Sequence, residues 1–172
     1  MTKILIVDDE DGIRRLLSRL LKMNGYKCRT ATNTEEARNT LKNEDIDLIL
    51  CDVKMPGESG MDFIQYVTTQ YPKTAIVMVT ALDDPDVAKV AFKTGAYGYI
   101  IKPFENNEVL INIASALRRR ELEIQNRLYQ ENLEKMVMER TCALQNTMND
   151  LRKTLEGTIY AIARIVELRD PY

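Results

Sequence analysis

The first two-thirds of the chain alternates short apolar runs with longer amphipathic segments. Four runs, residues 3–7, 48–51, 75–79 and 99–101, are rich in β-branched residues and too short for helices. Because helical patterns separate these runs, they predict parallel strands that are buried on both faces. The expected fold is an α/β doubly wound sandwich of five parallel strands and five helices, followed by a long C-terminal helix.

The helices between the strands are indicated by the spacing of their apolar residues. The first helix has apolar residues at positions i, i+3, i+4, i+7 and i+8, and should end at Asn24-Gly25. Asn33 followed by Glu36 resembles a capping box and predicts the start of the second helix. The residues expected to mark helices one, three and four are Ile13, Leu16, Leu17, Leu20 and Leu21; Phe63, Ile64 and Val67; and Val87, Val90 and Ala91.

Polar residues stand where each of the four strands ends. Asp8 and Asp9 follow the first run, Asp52 the second, Thr80 the third and Lys102 the fourth. Ligands of open parallel sheets bind beyond the carboxyl ends of the strands, so these residues should converge. Crowded carboxylates favour a hard divalent cation such as Mg²⁺. An added ammonium and hydroxyl favour a phosphoryl acceptor, with the carboxylate of Asp52 as nucleophile.

Each residue of this set also has an ordinary structural explanation. Asp8 and Asp9 could cap a helix, Thr80 could simply end a strand, and Lys102 could be a solvated charge. Tyr99 could be a core aromatic. The joint placement of all of them at strand ends, in alternating order, favours the phosphoryl-acceptor pocket.

Over roughly residues 1–120 the chain resembles the receiver domain of two-component response regulators. The resemblance implies that a sensor histidine kinase phosphorylates Asp52. It also implies that Lys54 and Leu82, two residues beyond Asp52 and Thr80, influence hydrolysis by controlling water access. The motifs that carry the resemblance are Val7-Asp8-Asp9, Asp52-Val53-Lys54-Met55-Pro56 with Gly60, Val79-Thr80-Ala81, and Tyr99-Ile100-Ile101-Lys102-Pro103-Phe104.

The same resemblance assigns roles to the other site residues. Asp9 and Asp52 would bind Mg²⁺ directly, together with the backbone carbonyl of Lys54, and Asp8 would help through water. Thr80 and Lys102 would contact the phosphoryl group, and Tyr99 would reorient with it. The Lys102-Pro103 peptide bond would be cis.

Composition excludes several other functions. The net charge is −2, and acidic and basic residues are nearly balanced after Phe104, so nucleic-acid binding is not expected. The chain has no histidine, which excludes phosphotransfer between a histidine and Asp52 within it. Its three cysteines lack C-x-x-C spacing, and no apolar run is long enough for a bilayer. The chain is therefore expected to be a reduced cytoplasmic protein, with Cys51 a buried strand residue.

The fifth helix should open near Glu105 and continue far beyond the receiver domain, since no proline follows until Pro171. Its apolar residues form two stripes with three-four spacing, and their register slips by one position within 129–135, where a kink or overwinding is expected. Arg118-Arg119-Arg120 should be a solvated or salt-bridging patch. The stripe residues are Leu110, Ala114, Leu117, Ile124 and Leu128, then Val137, Leu144, Met148, Leu151, Leu155, Ile162 and Ile165.

A single helix of this length cannot bury its own apolar stripe. A parallel homodimeric coiled coil over residues 121–157 is the favoured prediction, and a monomeric helix folded back on the receiver is the alternative. Residues 158–172 resemble the opening helix of an HD-GYP phosphodiesterase domain through Glu167-Leu168-Arg169-Asp170-Pro171-Tyr172. Residues 139–144 are similar to linkers of that family. This likeness suggests a truncated output domain and contains none of that family's metal-binding histidines.

Three hypotheses follow for the function. In the first, phosphorylation of Asp52 acts through a dimeric coil on a cyclic di-GMP phosphodiesterase domain, and the chain itself is not an enzyme. In the second, the chain is a self-contained, phosphorylation-dependent adaptor whose coil binds a partner. A transcription factor ranks third, because no DNA-binding motif is visible.

Overall fold

The computed structural model describes residues 1–56, 58–81 and 85–169, and it alternates strands and helices as predicted. The four predicted strands agree with the observed strands to within one residue at each end. Asp170, Pro171 and Tyr172 of the HD-GYP-like motif lie outside the described residues. The elements are β1 Lys3–Val7, α1 Asp11–Met23, β2 Lys27–Ala31, α2 Thr34–Asn43, β3 Leu48–Asp52, α3 Gly60–Gln70, β4 Ala75–Thr80, α4 Pro85–Thr94, β5 Gly98–Ile101 and α5 Asn106–Arg169.

The five strands form one parallel sheet in the order β2-β1-β3-β4-β5. The chain moves outward from β1 to β2 and then crosses back to β3, so its direction across the sheet reverses between β1 and β3. In doubly wound folds with this strand order, the crevice at that reversal is where ligands bind. The predicted fold class, a flavodoxin-like sheet followed by a long helix, is confirmed.

Strand β2 was left unplaced by the sequence pattern. Its sequence, Lys-Cys-Arg-Thr-Ala, has no apolar run, and only Ala31 is buried. The strand lies at the edge of the sheet and pairs with β1 alone. Charged side chains are typical of an edge strand, because they discourage pairing with another chain.

The core has two layers, one on each face of the sheet. Leu5 and Val7 belong to the layer that α2, α3 and α4 cover, whereas Ile4 and Ile6 belong to the layer under α1 and α5. Successive side chains of a strand point to opposite faces, which explains this division. Strands β1, β3 and β4 are therefore held on both sides, and their carboxyl ends form a rigid platform.

The apolar face of α1 and the start of α2 can be compared with the sequence pattern that predicted them. In α1, Leu17 and Leu21 are buried, but Leu16 is 48% exposed, so the apolar face is wider than its contact with the sheet. At the start of α2, the Asn33 side chain accepts a hydrogen bond from the Glu36 amide (2.9 Å), as predicted. The Glu36 carboxylate accepts from the amide of Thr32 rather than from that of Asn33.

The first compact unit comprises Met1–Ile124, and Gln125–Tyr172 forms a second. In the second unit every described side chain, from 125 to 166, is exposed. The chain is helical throughout 129–135, so the change of register occurs without a break in the helix. None of the helices, over the residues that the structure describes, has a stretch both long enough and apolar enough to cross a bilayer.

Candidate phosphoryl-acceptor and metal site

Three of the predicted site residues meet at the carboxyl end of the sheet. The ammonium group of Lys102 donates hydrogen bonds to Asp8 Oδ2 (2.8 Å) and to Asp52 Oδ2 (2.7 Å). These residues come from the ends of β1, β3 and β5, and their side chains are at most 10% exposed. One buried cation is therefore shared by two buried carboxylates.

The backbone holds the second oxygen of each carboxylate. Asp8 Oδ1 accepts from the amide of Glu10 (2.9 Å), and Asp52 Oδ1 accepts from the amide of Lys54 (3.0 Å). Each donor lies two residues after its acceptor, in the turn that follows the strand. The two carboxylates are thus fixed in orientation by groups from their own loops and by one lysine.

The charges of this site depend on one another. Burial raises the pKa of Asp8, although its hydrogen bond to Lys102 opposes the change. Burial lowers the pKa of Lys102, but the hydrogen bonds to Asp52 and Asp8 outweigh this effect, and the pKa is raised overall. Lys102 consequently stays protonated at neutral pH and partly neutralises the acidic pair.

A third carboxylate completes a cluster that fits a divalent cation. Oxygens of Asp8, Glu10 and Asp52 all lie within 4.8 Å of one another. Carboxylate oxygens are the ligands that hard cations such as Mg²⁺ and Ca²⁺ take in proteins. The Glu10 carboxylate also lies 3.5 Å from Lys102 Nζ. The donor set therefore suits a hard divalent cation.

Asp9, the predicted direct ligand, is placed differently from Glu10. Its side chain is exposed, and within the described part of the chain it is not among the three carboxylates of the cluster. The chain bends at Asp9, directly after β1, and is extended again at Glu10, whose carboxylate joins those of Asp8 and Asp52. No local spacing in the sequence singles out Glu10 for this cluster. The role of Asp9 stays a prediction.

Thr80 and Tyr99 lie on the two neighbouring strands β4 and β5. Thr80 is completely buried, and its carbonyl accepts from the Lys102 amide (2.7 Å). Tyr99 is partly buried and packs against the core layer under α2, α3 and α4. The Lys102-Pro103 peptide bond is cis, as the resemblance implied. These positions are compatible with the proposed switch, whose movement stays a prediction.

Gly60 allows α3 to begin against the end of β3. A Cβ atom at this position would overlap the carbonyl oxygen of Asp52 and lie 2.8 Å from the Cα of Val53. The Gly60 amide donates to the Val53 carbonyl (3.1 Å). Close approach of the two backbones explains why a glycine stands here, and it fixes the loop that follows Asp52.

The loop after Asp52 is also held by Arg38, a residue that no sequence pattern singled out. Arg38 of α2 forms an ion pair with Glu58, and its guanidinium carbon lies 3.6 Å from the ring centre of Tyr66. Residues twenty positions apart in different elements leave no local signal in a sequence. This contact ties α2 and α3 to the segment between Asp52 and Gly60.

Cys51, beside the acceptor, is buried as predicted, and burial raises the pKa of its thiol. A buried thiol with a raised pKa is a poor nucleophile. The side chain of Lys54 is exposed, and Leu82 lies outside the described residues. Their effect on water access therefore stays a prediction.

Comparison with known proteins identifies the family. Residues 4–114 match the model of the response regulator receiver domain. The chain is 39% identical to the response regulator protein PilR of Pseudomonas aeruginosa over 135 residues, which are 76% of this chain and 30% of PilR. It is 28% identical to a cyclic di-GMP phosphodiesterase of Thermotoga maritima, over 98% of this chain and 44% of that protein. The chain thus spans less than half the length of these relatives.

Solved structures agree with this match. A CheY-like receiver domain protein from Methanospirillum hungatei has a TM-score of 0.68 and 28% identity, over 72% of this chain and 98% of that one. The response regulator TrrA from Thermotoga maritima, solved in complex with Mg²⁺ and BeF, has a TM-score of 0.62 and 31% identity, over 67% and 99%. With the matched family model covering most of the sheet and its helices, the chain belongs to the response regulator receiver family.

Proposed function

We propose that this chain is the signal-receiving part of a response regulator and accepts a phosphoryl group on Asp52 from a sensor histidine kinase. The observation that carries the proposal is the sharing of Lys102 between Asp52 and Asp8 at the carboxyl end of the sheet. An ordinary structural ion pair needs only one carboxylate for the lysine. A phosphoryl acceptor needs a carboxylate nucleophile, a cation that neutralises the phosphoryl oxygens, and further carboxylates that bind a metal ion.

The side chains of the pocket divide the reaction between them. A carboxylate oxygen of Asp52 attacks the phosphorus of the donor phosphohistidine. As the new O–P bond forms, the P–N bond breaks, and its electron pair returns to the imidazole nitrogen of the kinase. Lys102 neutralises charge on the phosphoryl oxygens, and the Thr80 hydroxyl hydrogen-bonds to one of them. The acyl phosphate then stays on Asp52.

Mg²⁺ is the cation that we propose for the acidic cluster. Asp8 and Asp52 would hold it, with Glu10 or Asp9 and the Lys54 carbonyl as further candidates. When bound, Mg²⁺ supplies positive charge to the phosphoryl oxygens during transfer. The complex of TrrA with Mg²⁺ and BeF supports this choice for a related receiver.

The phosphorylated pocket is proposed to act through Thr80, Tyr99 and α5 on a parallel homodimer. The apolar stripe of residues 125–166 supports this step, because a single chain leaves all of it exposed. A second copy offers an identical stripe, so knobs-into-holes packing would cover both. Phosphorylation would then change the packing or the affinity of the coil.

A cyclic di-GMP phosphodiesterase domain is the output that we propose. The relative that carries this activity in its name matches 98% of the chain, including the helix, whereas the PilR match covers 76%. The HD-GYP-like sequence of residues 158–172 supports the same output. A self-contained adaptor with the same pocket chemistry is the alternative.

A small phosphodonor tests the acceptor function. The chain, incubated with acetyl phosphate and Mg²⁺, should gain one phosphoryl group by intact-mass spectrometry. Borohydride reduction of the acyl phosphate should mark residue 52 in the peptide map. Phosphorylation at another residue would contradict the assignment, and so would the absence of phosphorylation both with and without Mg²⁺.

The output is tested separately. Sequencing the coding DNA beyond the codon for Tyr172 should show a His-Asp pair and Gly-Tyr-Pro downstream. The protein that includes this segment should hydrolyse cyclic di-GMP. An immediate stop codon would instead favour the adaptor.

A further inference from the structure

Arg120 of α5 is bound at the end of the sheet opposite the acceptor pocket. Its guanidinium lies 2.9 Å from Asp47 Oδ1 and also donates to the carbonyl of Lys73. Asp47 immediately precedes β3, and its other oxygen accepts from the amide of Lys3 (2.8 Å) at the start of β1. One side chain of α5 is thus joined to the amino ends of the central strands.

Tyr97, just before β5, forms a second attachment. Its hydroxyl donates to the carboxylate of Glu123, and the guanidinium carbon of Arg119 lies 5.1 Å from the centre of its ring. Arg119 and Glu123 are also paired with each other (3.0 Å). The amide of Tyr97 donates to the carbonyl of Ile76 in β4 (2.7 Å), which anchors the tyrosine backbone to the sheet.

The two attachments differ in kind from the contacts nearer the start of α5. Val109, Ile113 and Ala116 pack into the core through apolar surfaces, which resist separation but not small rotations. Arg120 and Glu123 are about 60° apart around the helix, and each is hydrogen-bonded to a residue outside α5, so the two attachments together oppose rotation of the helix. Residues 119–123 are consequently fixed in rotation as well as in position.

We propose that Asp47 and Tyr97 form a clasp that sets the rotation of α5 where it leaves the sheet and passes movement of β5 to the helix. Tyr97 lies two residues before Tyr99 on the same chain segment, so a shift of β5 at Tyr99 displaces the tyrosine that holds Glu123. This coupling rests on the proposed function. Asp47 and Tyr97 are positioning residues and do not touch the phosphoryl group.

The clasp itself is tested without any phosphorylation. Hydrogen exchange of the full chain is measured by mass spectrometry for the wild type, Arg120→Gln and Tyr97→Phe. Arg118→Gln is the matched control, because Arg118 is an exposed neighbour on the same helix. Loss of these hydrogen bonds should speed exchange of amides 116–124 by about threefold to tenfold in both clasp variants and leave the control unchanged. Wild-type exchange rates in both clasp variants would overturn the proposal.

Beryllium fluoride with Mg²⁺ tests the coupling. Protection of the peptide around Asp52 reports binding of this phosphoryl mimic, and exchange of 116–124 reports the response of α5. We expect wild type to show both changes and Tyr97→Phe to show only the first, with Arg120→Lys retaining part of the response. A full α5 response in Tyr97→Phe would overturn the coupling. Absence of protection around Asp52 in wild type would instead contradict the proposed function and, with it, the coupling. The exchange rates measured without beryllium fluoride would still test the clasp by themselves.

Discussion

The acceptor pocket buries charged side chains, whereas the distal half of α5 exposes apolar ones. In the pocket, Asp8, Asp52 and Lys102 are ionisable groups held almost out of contact with water. Along the helix, large apolar side chains such as Leu144 (61% exposed) and Leu151 (59% exposed) face solvent. Each arrangement costs free energy unless something compensates for it.

The compensation differs between the two regions. The pocket satisfies its charges within one chain, through the lysine and two backbone amides. In the helix, over residues 125–166, every described side chain is exposed. The charges of the pocket are thus compensated within one chain, whereas compensation for the exposed stripe is left to the association that we propose.

The largest effect should come from removing the nucleophile. Asp52→Asn should abolish phosphorylation by acetyl phosphate, because an amide oxygen does not form the acyl phosphate, while the fold stays intact. Intact-mass spectrometry and circular dichroism measure the two properties. Asp45→Asn, at an exposed position, is the control and should label normally. Undiminished labelling of Asp52→Asn would mean that another residue is the acceptor.

Association of the helix should be strongly weakened by negative charge placed in its apolar stripe. Leu144→Asp combined with Leu151→Asp should weaken the dimer by more than about 100-fold, because two unpaired carboxylates per chain would be buried in the coil. Sedimentation equilibrium measures the change. Asn146→Asp with Asn149→Asp adds the same charge outside the stripe and should leave the dimer intact. A wild type that is monomeric at high concentration would refute the coil.

The two regions also contain ion pairs of very different expected strength. Lys102→Ala should lower the free energy of unfolding by about 3 kcal/mol, since it leaves two buried carboxylates without their cation. Arg152→Ala removes an exposed pair with Glu156 and should cost less than about 0.5 kcal/mol. Urea unfolding followed by circular dichroism compares the two. An equal loss of unfolding free energy in the two variants would mean that water reaches the carboxylates of the pocket more readily than their burial indicates.

Close backbone packing is a further property of the pocket that the helix lacks. Gly60→Ala should destabilise the chain by about 1–3 kcal/mol, because the added methyl group overlaps the end of β3. Gly157→Ala, where a Cβ meets nothing within 4 Å, should be neutral or stabilising because alanine favours helix. Thermal unfolding of both variants provides the measurement. A neutral Gly60→Ala would show that α3 can shift freely.

A small predicted effect concerns the dependence of stability on pH. Burial, and then the hydrogen bond to Glu123, raise the pKa of Tyr97 to about 12 from its usual 10. Because the folded state holds this proton more tightly, stability is complete below pH 10 and falls as the pH rises toward 12. Solvent screens the pair, so the loss should be below about 1 kcal/mol. Tyrosine absorbance at 295 nm should lose a titration step near pH 12 in Tyr97→Phe, and loss of a step near pH 10 instead would contradict the shift.

The sequence predicted the fold because burial leaves a strong pattern. Strands buried on both faces, such as β3 and β4, appear as continuous apolar runs, whereas the edge strand β2 has no such run and was not located. The convergence of Asp8, Asp52 and Lys102 followed from strand direction alone. Leu16 belongs to the apolar pattern of α1 yet is 48% exposed, because helical spacing gives the direction of a face but not the width of the surface it meets.

The remaining features depend on contacts that spacing does not encode. Glu10 joins the acidic cluster because of how the chain bends after β1, which residue spacing alone does not predict. The Arg120 and Arg38 ion pairs join elements distant in sequence, so only the folded chain brings them together. The triple arginine was predicted as a solvated or salt-bridging patch, and two of its members are in fact paired.

Disulfide crosslinking between chains measures whether phosphorylation at Asp52 changes the packing of the proposed coil. Leu151→Cys would be placed in a Cys142→Ser background, since Cys142 is exposed and Cys51 is buried. We expect chains to crosslink at residue 151, and beryllium fluoride with Mg²⁺ to change the rate by about fivefold or more. An identical rate with and without the mimic, or no crosslinking at all, would contradict this expectation.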